Sequence, residues 1–187
     1  MPGTGDEGVH RLFDGIIRPI LDDFEPEIII NSAGQDNHFS DQLASMSVTA
    51  QGYARLADKL KADIAVLEGG YSVEAALPYV NTGIILAMAE LDYSNVIEPD
   101  QTDLRKQADK CNARVDELIR QIGDLWTNRQ KLSSEALAKC GETWSRQKNI
   151  YYDEEGISED QIETAHYCRR CRGYLTIRTA ADNTRFG

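Results

Sequence analysis

Apolar side chains along residues 6–24 recur at Val9, Leu12, Phe13, Ile16, Ile17, Ile20 and Leu21, the three-and-four spacing of a helix with one broad buried face. Asp6 and Glu7 favour its N-terminal end, where the helix dipole is positive. Pro19 is awkward inside such a helix and predicts a kink, or the start of its last part. Glu25-Pro26 breaks the pattern, and residues 27–33, with Ile28-Ile29-Ile30, read as a buried strand. Thr49 predicts an N-cap for a helix through Leu60 with Tyr53, Leu56, Ala57 and Leu60 inward. Residues 62–71 (ADIAVLEGGY) predict a second buried strand ending in a glycine turn. Ser72 predicts the cap of a third helix over 73–91, with Ala76, Val80, Ile84, Leu86 and Met88 on its apolar face.

Alternation of helices with apolar strands implies an α/β unit, a parallel sheet covered by helices on both faces. Ligands in such folds bind outside the carboxyl ends of the strands. The loops "SAGQDNH" and "EGGYS" each follow a strand, so both should open on one side of the sheet. Two strands are few against the usual five or six, and the first half is expected to be part of a larger domain.

After Pro99 the pattern changes. Leu104, Ala108, Cys111, Val115, Leu118, Ile119 and Ile122 predict an amphipathic helix opened by Asp100 or Thr102, with Gly123 as an interruption before Leu125, Trp126 and Leu132. It can pack on its own chain, the simpler reading, or pair with a second copy in a homo-oligomer. Beyond it "NIYYDEEG" and "YLTIRT" read as short strands and "AADNTRFG" as a tail. The division expected is 1–95, an α/β part; 96–136, a helical segment; and 137–187, a small cysteine-containing module, with residues 92–103 as linker.

Composition sharpens that division. All four cysteines and both tryptophans lie after residue 95, and of the net charge of −11 residues 1–95 carry −10. An acidic first half repels phosphates, so no nucleic-acid partner is expected there, and cationic substrates or a metal cation suit it better. No apolar run reaches the ~20 residues of a membrane span, and the N-terminus lacks a signal-peptide pattern. A cytoplasmic protein without membrane contact is the default expectation.

Asp36, His38 and Asp41 place three ligating or proton-carrying groups in one strand-end loop. Asp36 suits zinc or magnesium, although an aspartate there also serves as a turn former. Tyr71 follows Gly69 and Gly70, which let backbone approach a ligand closely; it is either packed scaffold or a phenol presented outward. Together a carboxylate ligand and a phenol suggest metal-polarised carbonyl chemistry. Separately, Cys168-x-x-Cys171 has the shape of a zinc knuckle, which Cys140 with His166 or Cys111 could complete as a zinc-ribbon-like unit. The alternative is a set of reduced, unligated thiols.

"PGTGDEG" (2–8), "IIINSAGQDNHFSDQLASMSVTAQGYARL" (28–56) and "LEGGYSVEAAL" (67–77) resemble the C-terminal portion of the histone deacetylase superfamily, in the style of its acetoin-utilisation and acetylpolyamine hydrolases. The resemblance covers residues 1–91. It implies the arginase–deacetylase α/β fold and zinc-dependent hydrolysis of an acetyl-amide bond in an acetylated amine or acetyl-lysine. It matches Asp36 to the carboxylate zinc ligand, Tyr71 to the tyrosine that hydrogen-bonds the substrate carbonyl, and Gly69 and Gly70 to the floor of the site; His38 has no ligand role in it. The family's Asp-x-His ligands and tandem histidine base have no counterpart here, because His10, His38 and His166 are the only histidines. The expectation is therefore a fragment of a longer protein, incompetent for deacetylation alone. The alternative is a non-catalytic interaction module with a structural zinc.

Overall fold

Proline 19 shapes the first element of the chain. Helix α1 (Asp6–Leu12) passes into a π-helical turn (Phe13–Ile17) and then α2 (Arg18–Phe24), with Pro19 in the first turn of α2. Proline has no N–H to give and its ring crowds the carbonyl four residues back, so the wider π turn ahead of it accommodates both. The computed structural model describes residues 1–43, 45–99, 106–140, 143–152, 156–168 and 173–183. The chain divides into two compact units, Met1–Trp126 and Thr127–Gly187.

In the first unit strand β1 (Ile30–Ala33) pairs in parallel with β2 (Ile64–Leu67), with Ile30 opposite Ile64 and Ala33 opposite Leu67. Helix α3 (Ala50–Leu60) connects them, and α4 (Leu77–Met88) follows. Thr49 caps α3 as its sequence predicts, its Oγ1 accepting from the Gly52 amide. Asp6 braces that cap, accepting from the Thr49 amide at 2.8 Å and the Thr49 hydroxyl at 2.7 Å. The buried cluster lies between α3, α4 and the inner end of β1, with Ala33, Val48, Tyr53, Ala57, Val80, Ile84 and Ala87.

Three expectations need correction here. The strands are shorter than predicted and mostly uncovered: Ile28 and Ile30 are 63% and 61% exposed, and Val66 and Leu67 are exposed as well. Their apolar runs carry the signature of burial on two faces, but the described residues supply helices for only part of that area. Ser72 does not cap a helix by its side chain. Residues 73–76 form turns, and α4 begins at Leu77, where Pro78 fits the first turn.

Helix α5 (Asp109–Thr127) runs through Gly123 without interruption; the proposed caps Asp100 and Thr102 lie outside the described residues. It packs on its own chain. Cys111 and Val115 are buried, the Cys111 thiol faces the Pro2 carbonyl, Gln107 accepts from the Gly5 amide and Arg11 pairs with Asp116. A side chain at Gly15 would stand 2.8 Å from Ile119, so glycine there permits this close approach. Residues 93–96 are also tied down: Gln51 donates to the Tyr93 and Val96 carbonyls, and Val96 joins the core.

The second unit holds α6 (Arg129–Cys140) and an antiparallel meander of β3 (Thr143–Tyr152), β4 (Ile157–His166) and β5 (Tyr174–Asn183), in that spatial order. The strands are ten residues each, longer than predicted; β4 was not expected, and the presumed tail supplies the end of β5. Polar cross-strand pairs lace the sheet. Glu163 accepts from Lys148 at 2.5 Å and from Arg146, Ser145 meets Thr164 at 2.8 Å, and Asn149 donates to Asp160 at 3.0 Å. Among the described residues no helix is long and apolar enough to cross a membrane.

Candidate active site

The two strand-end loops meet, because parallel pairing of β1 and β2 aligns their carboxyl ends. Ser32 Oγ donates to Glu68 at 2.8 Å and the Gln35 amide donates to the Gly69 carbonyl at 2.5 Å. Asp36 and Tyr71 are thereby brought to one place. A Cβ built on Gly69 would lie 3.4 Å from an Asp36 carboxylate oxygen and 3.5 Å from the Tyr71 hydroxyl. Glycine at 69 leaves open the space that both groups flank. A Cβ on Gly70 would stand 3.1 Å from the Gln35 side chain and 3.3 Å from Leu77, so Gly70 lies where the loop meets the start of α4. Tyr71 itself is 59% exposed.

Beneath this open rim the loop is buried and polar. His38 is fully buried. Its Nδ1 accepts from the Ser40 amide at 3.2 Å, so the ring proton sits on Nε2 and is donated to Glu98 Oε1 at 3.1 Å. Ser40 Oγ lies 2.9 Å from Nδ1 and 2.8 Å from Ser72 Oγ. With Nδ1 an acceptor, the Ser40 hydroxyl donates to it and accepts from Ser72. Glu98 Oε1 also accepts from the Ala50 amide at 3.0 Å, at the N-terminus of α3. Burial pushes the Glu98 carboxyl up, but the bonds from His38 and Ala50 outweigh it and hold it below the usual range.

Asp41 is the second buried carboxylate. Its Oδ1 accepts from the Leu43 amide at 2.9 Å, and Oδ2 from the amides of Tyr71 and Ser72 at 2.7 and 3.2 Å. Burial alone would raise its pKa; the three amides, helped by His38, lower it on balance. Tyr53, in the core below, is pushed upward, by burial first.

Of the three charged or ionisable residues in the loop, only Asp36 therefore faces the open site. His38 and Asp41 are committed to protein partners. Glu98 is the residue that sequence reasoning missed, and no local signal marks it, since it lies 60 positions from the histidine it serves. Asp36 has the chemistry of a zinc ligand. Among the described residues, however, no three metal-ligating side chains gather, and a catalytic zinc takes about three protein ligands. These residues by themselves do not fit that ion. For the thiol site, Cys168 is exposed, whereas Cys171 and the side chain of Cys140 lie outside the described residues.

The histone deacetylase domain family model matches residues 1–87. A "Probable deacetylase" of Archaeoglobus fulgidus is 51% identical over 108 residues, covering 53% of this chain and 30% of that protein. Histone deacetylase 14, chloroplastic, of Arabidopsis thaliana is 37% identical over 82 residues, 39% of this chain and 19% of its own length. Among solved structures the HD domain of HDA15 superposes with a TM-score of 0.55 at 22% identity, over 74% of this chain and 36% of that one. The architecture is thus the α/β fold of those proteins, and the chain spans less than a third of the length of these two relatives.

Proposed function

Because residues 1–87 belong to the histone deacetylase superfamily, we propose that they form the C-terminal part of the catalytic domain of a zinc-dependent hydrolase of acetyl-amide bonds. The observation that carries this reading is the approach of both Asp36 and Tyr71 to Gly69 at the carboxyl ends of a parallel strand pair. Zinc would supply polarisation of the carbonyl and activation of water; Asp36 would contribute one of its ligands, and the family's Asp-x-His ligands have no counterpart in these 187 residues. Tyr71 donates its phenolic hydrogen to the substrate's acetyl oxygen, where negative charge develops as the carbonyl carbon is attacked. Gly69 keeps a side chain out of the acetyl group's path, and Gly70 lets the loop pack against Gln35 and Leu77 beside it. The acidity of residues 1–95 suits an acetylated amine or acetyl-lysine with cationic surroundings.

The 187-residue chain alone is expected to be inactive, since its three histidines include no adjacent pair to act as base. The test is a chimera in which residues 1–91 replace the aligned segment of the Archaeoglobus fulgidus relative. Hydrolysis of an acetyl-lysine peptide is expected from the chimera, with loss of about a hundredfold or more on Tyr71→Phe and loss of bound zinc on Asp36→Ala. A folded chimera that turns over normally after both changes overturns the roles given to these residues. Turnover by the purified chain alone overturns its incompetence.

A second reading, an association module with a structural zinc on Cys140, Cys168 and Cys171, is favoured by the uncovered apolar strands. It predicts that the chain as purified holds zinc which Cys168→Ser removes and Asp36→Ala does not.

A further inference from the structure

We propose that Asp41 is a positioning residue for Tyr71, fixing where the phenol stands relative to Asp36. The inference rests on the role given to Tyr71 above for its functional meaning, but not for its geometry.

The phenol has little to hold it from outside: Tyr71 is largely exposed, and its hydroxyl flanks the open space at Gly69. Its direction is therefore set by its own backbone. That backbone follows two consecutive glycines, which restrict φ and ψ least of all residues. Something must take up this freedom, and the structure places a buried carboxylate there. Asp41 is only 7% exposed. One oxygen accepts from both the Tyr71 and the Ser72 amides, and the other accepts from Leu43 within its own loop. Bonds to a charged acceptor are the stronger kind. Ser72 is tethered again through its hydroxyl to Ser40, which leans on the His38–Glu98 pair.

Asp41 lies five residues after Asp36, in the same loop. The loop that presents the carboxylate at its rim thus grips the phenol's backbone from below, so the spacing of the two functional groups is set within one loop-to-loop unit. An asparagine at 41 has a single side-chain oxygen. It can serve Leu43 or the Tyr71–Ser72 pair, and turns an NH2 toward the other, where only donors stand.

The test uses the full chain labelled with 3-fluorotyrosine, with the Tyr71 fluorine signal assigned by Tyr71→Phe. In Asp41→Asn the amides of Tyr71 and Ser72 are expected to exchange with solvent about tenfold faster. The Tyr71 fluorine signal is expected to move toward that of free fluorotyrosine, while the Ala54 and Ala57 amides in α3 keep their rates. Wild-type exchange at Tyr71 and Ser72, or an unmoved fluorine signal, overturns the proposal. In the unmutated protein, a through-hydrogen-bond coupling between the Tyr71 nitrogen and the Asp41 carboxyl carbon is expected, and its absence overturns the proposal whether or not the variant folds. None of these readings involves metal, substrate or turnover, so they stand or fall separately from the deacetylase assignment.

Discussion

The parallel pair of the first unit and the antiparallel meander of the second both leave much of their strands exposed, but they expose different chemistry. On β1 and β2 the exposed apolar side chains are Ile30, Ile64, Val66 and Leu67. The meander presents Trp144, Ile162, Leu175 and Ile177, but sets among them charged and hydroxyl pairs such as Arg146–Glu163–Lys148 and Ser145–Thr164. Isolated two-stranded pairing has little stability of its own. What holds β1 and β2 in the first unit is their attachment below to α3 and α4, and the hydrogen bonds at their carboxyl ends. Order at the candidate site therefore comes from buried polar groups in the loops more than from a covered sheet.

That contrast can be broken at several points. Glu98→Ala should be the most damaging, costing about 3–5 kcal/mol in denaturant unfolding of the first unit, because two buried donors, the Nε2–H of His38 and the Ala50 amide, lose their shared acceptor. Glu98→Gln keeps an acceptor oxygen and should recover most of that loss; equal damage from both would mean that charge, not bonding, matters. Ile84→Ala, in the core between α3 and α4, should cost about 3 kcal/mol. Glu163→Ala should lower the melting temperature modestly, with an effect that shrinks in high salt because its Arg146 and Lys148 partners are half exposed. Ile30→Ser should change stability least, by about 0.5 kcal/mol at most; a loss as large as that of Ile84→Ala would show that the strand face is covered in solution.

Acid sharpens the same comparison. The carboxyls of Asp41 and Glu98 are held below their ordinary values in the folded chain. Their contribution is therefore fully present above the unfolded values of about 4 and is lost as pH falls through the lowered folded values. The urea midpoint of the first unit should fall modestly from about pH 7 to 5, because burial lowers the pKa of His10 in the folded chain and the unfolded chain takes up its proton first, and should drop further below about pH 4. Asp41→Asn should flatten part of the lower drop and leave the His10 part unchanged; an unaltered lower drop in that variant would place the acid sensitivity on other groups.

Much of the first unit was legible in the residues. The cap at Thr49, the end of α3 at Leu60, the parallel α/β order and the convergence of Asp36 with Tyr71 all follow from local signals: a capping hydroxyl, a helical stripe, glycines after apolar strands. The meander was legible only in part, because β4 reads ISEDQIETAH and its polar pairs find their partners on neighbouring strands. Nor did the chain's order reveal that His38 and Asp41 face inward while Asp36 faces out, since all three are equally polar and lie within six residues. Burial of a charged or ring group depends on donors and acceptors that arrive from elsewhere: Glu98 after α4, and the Tyr71 and Ser72 amides after β2. Sequence by itself determined which residue types stand at the ends of the strands, because short-range spacing encodes helix, strand and turn. Only the tertiary structure decided which of them is left free to act, because that depends on long-range partners that satisfy the rest.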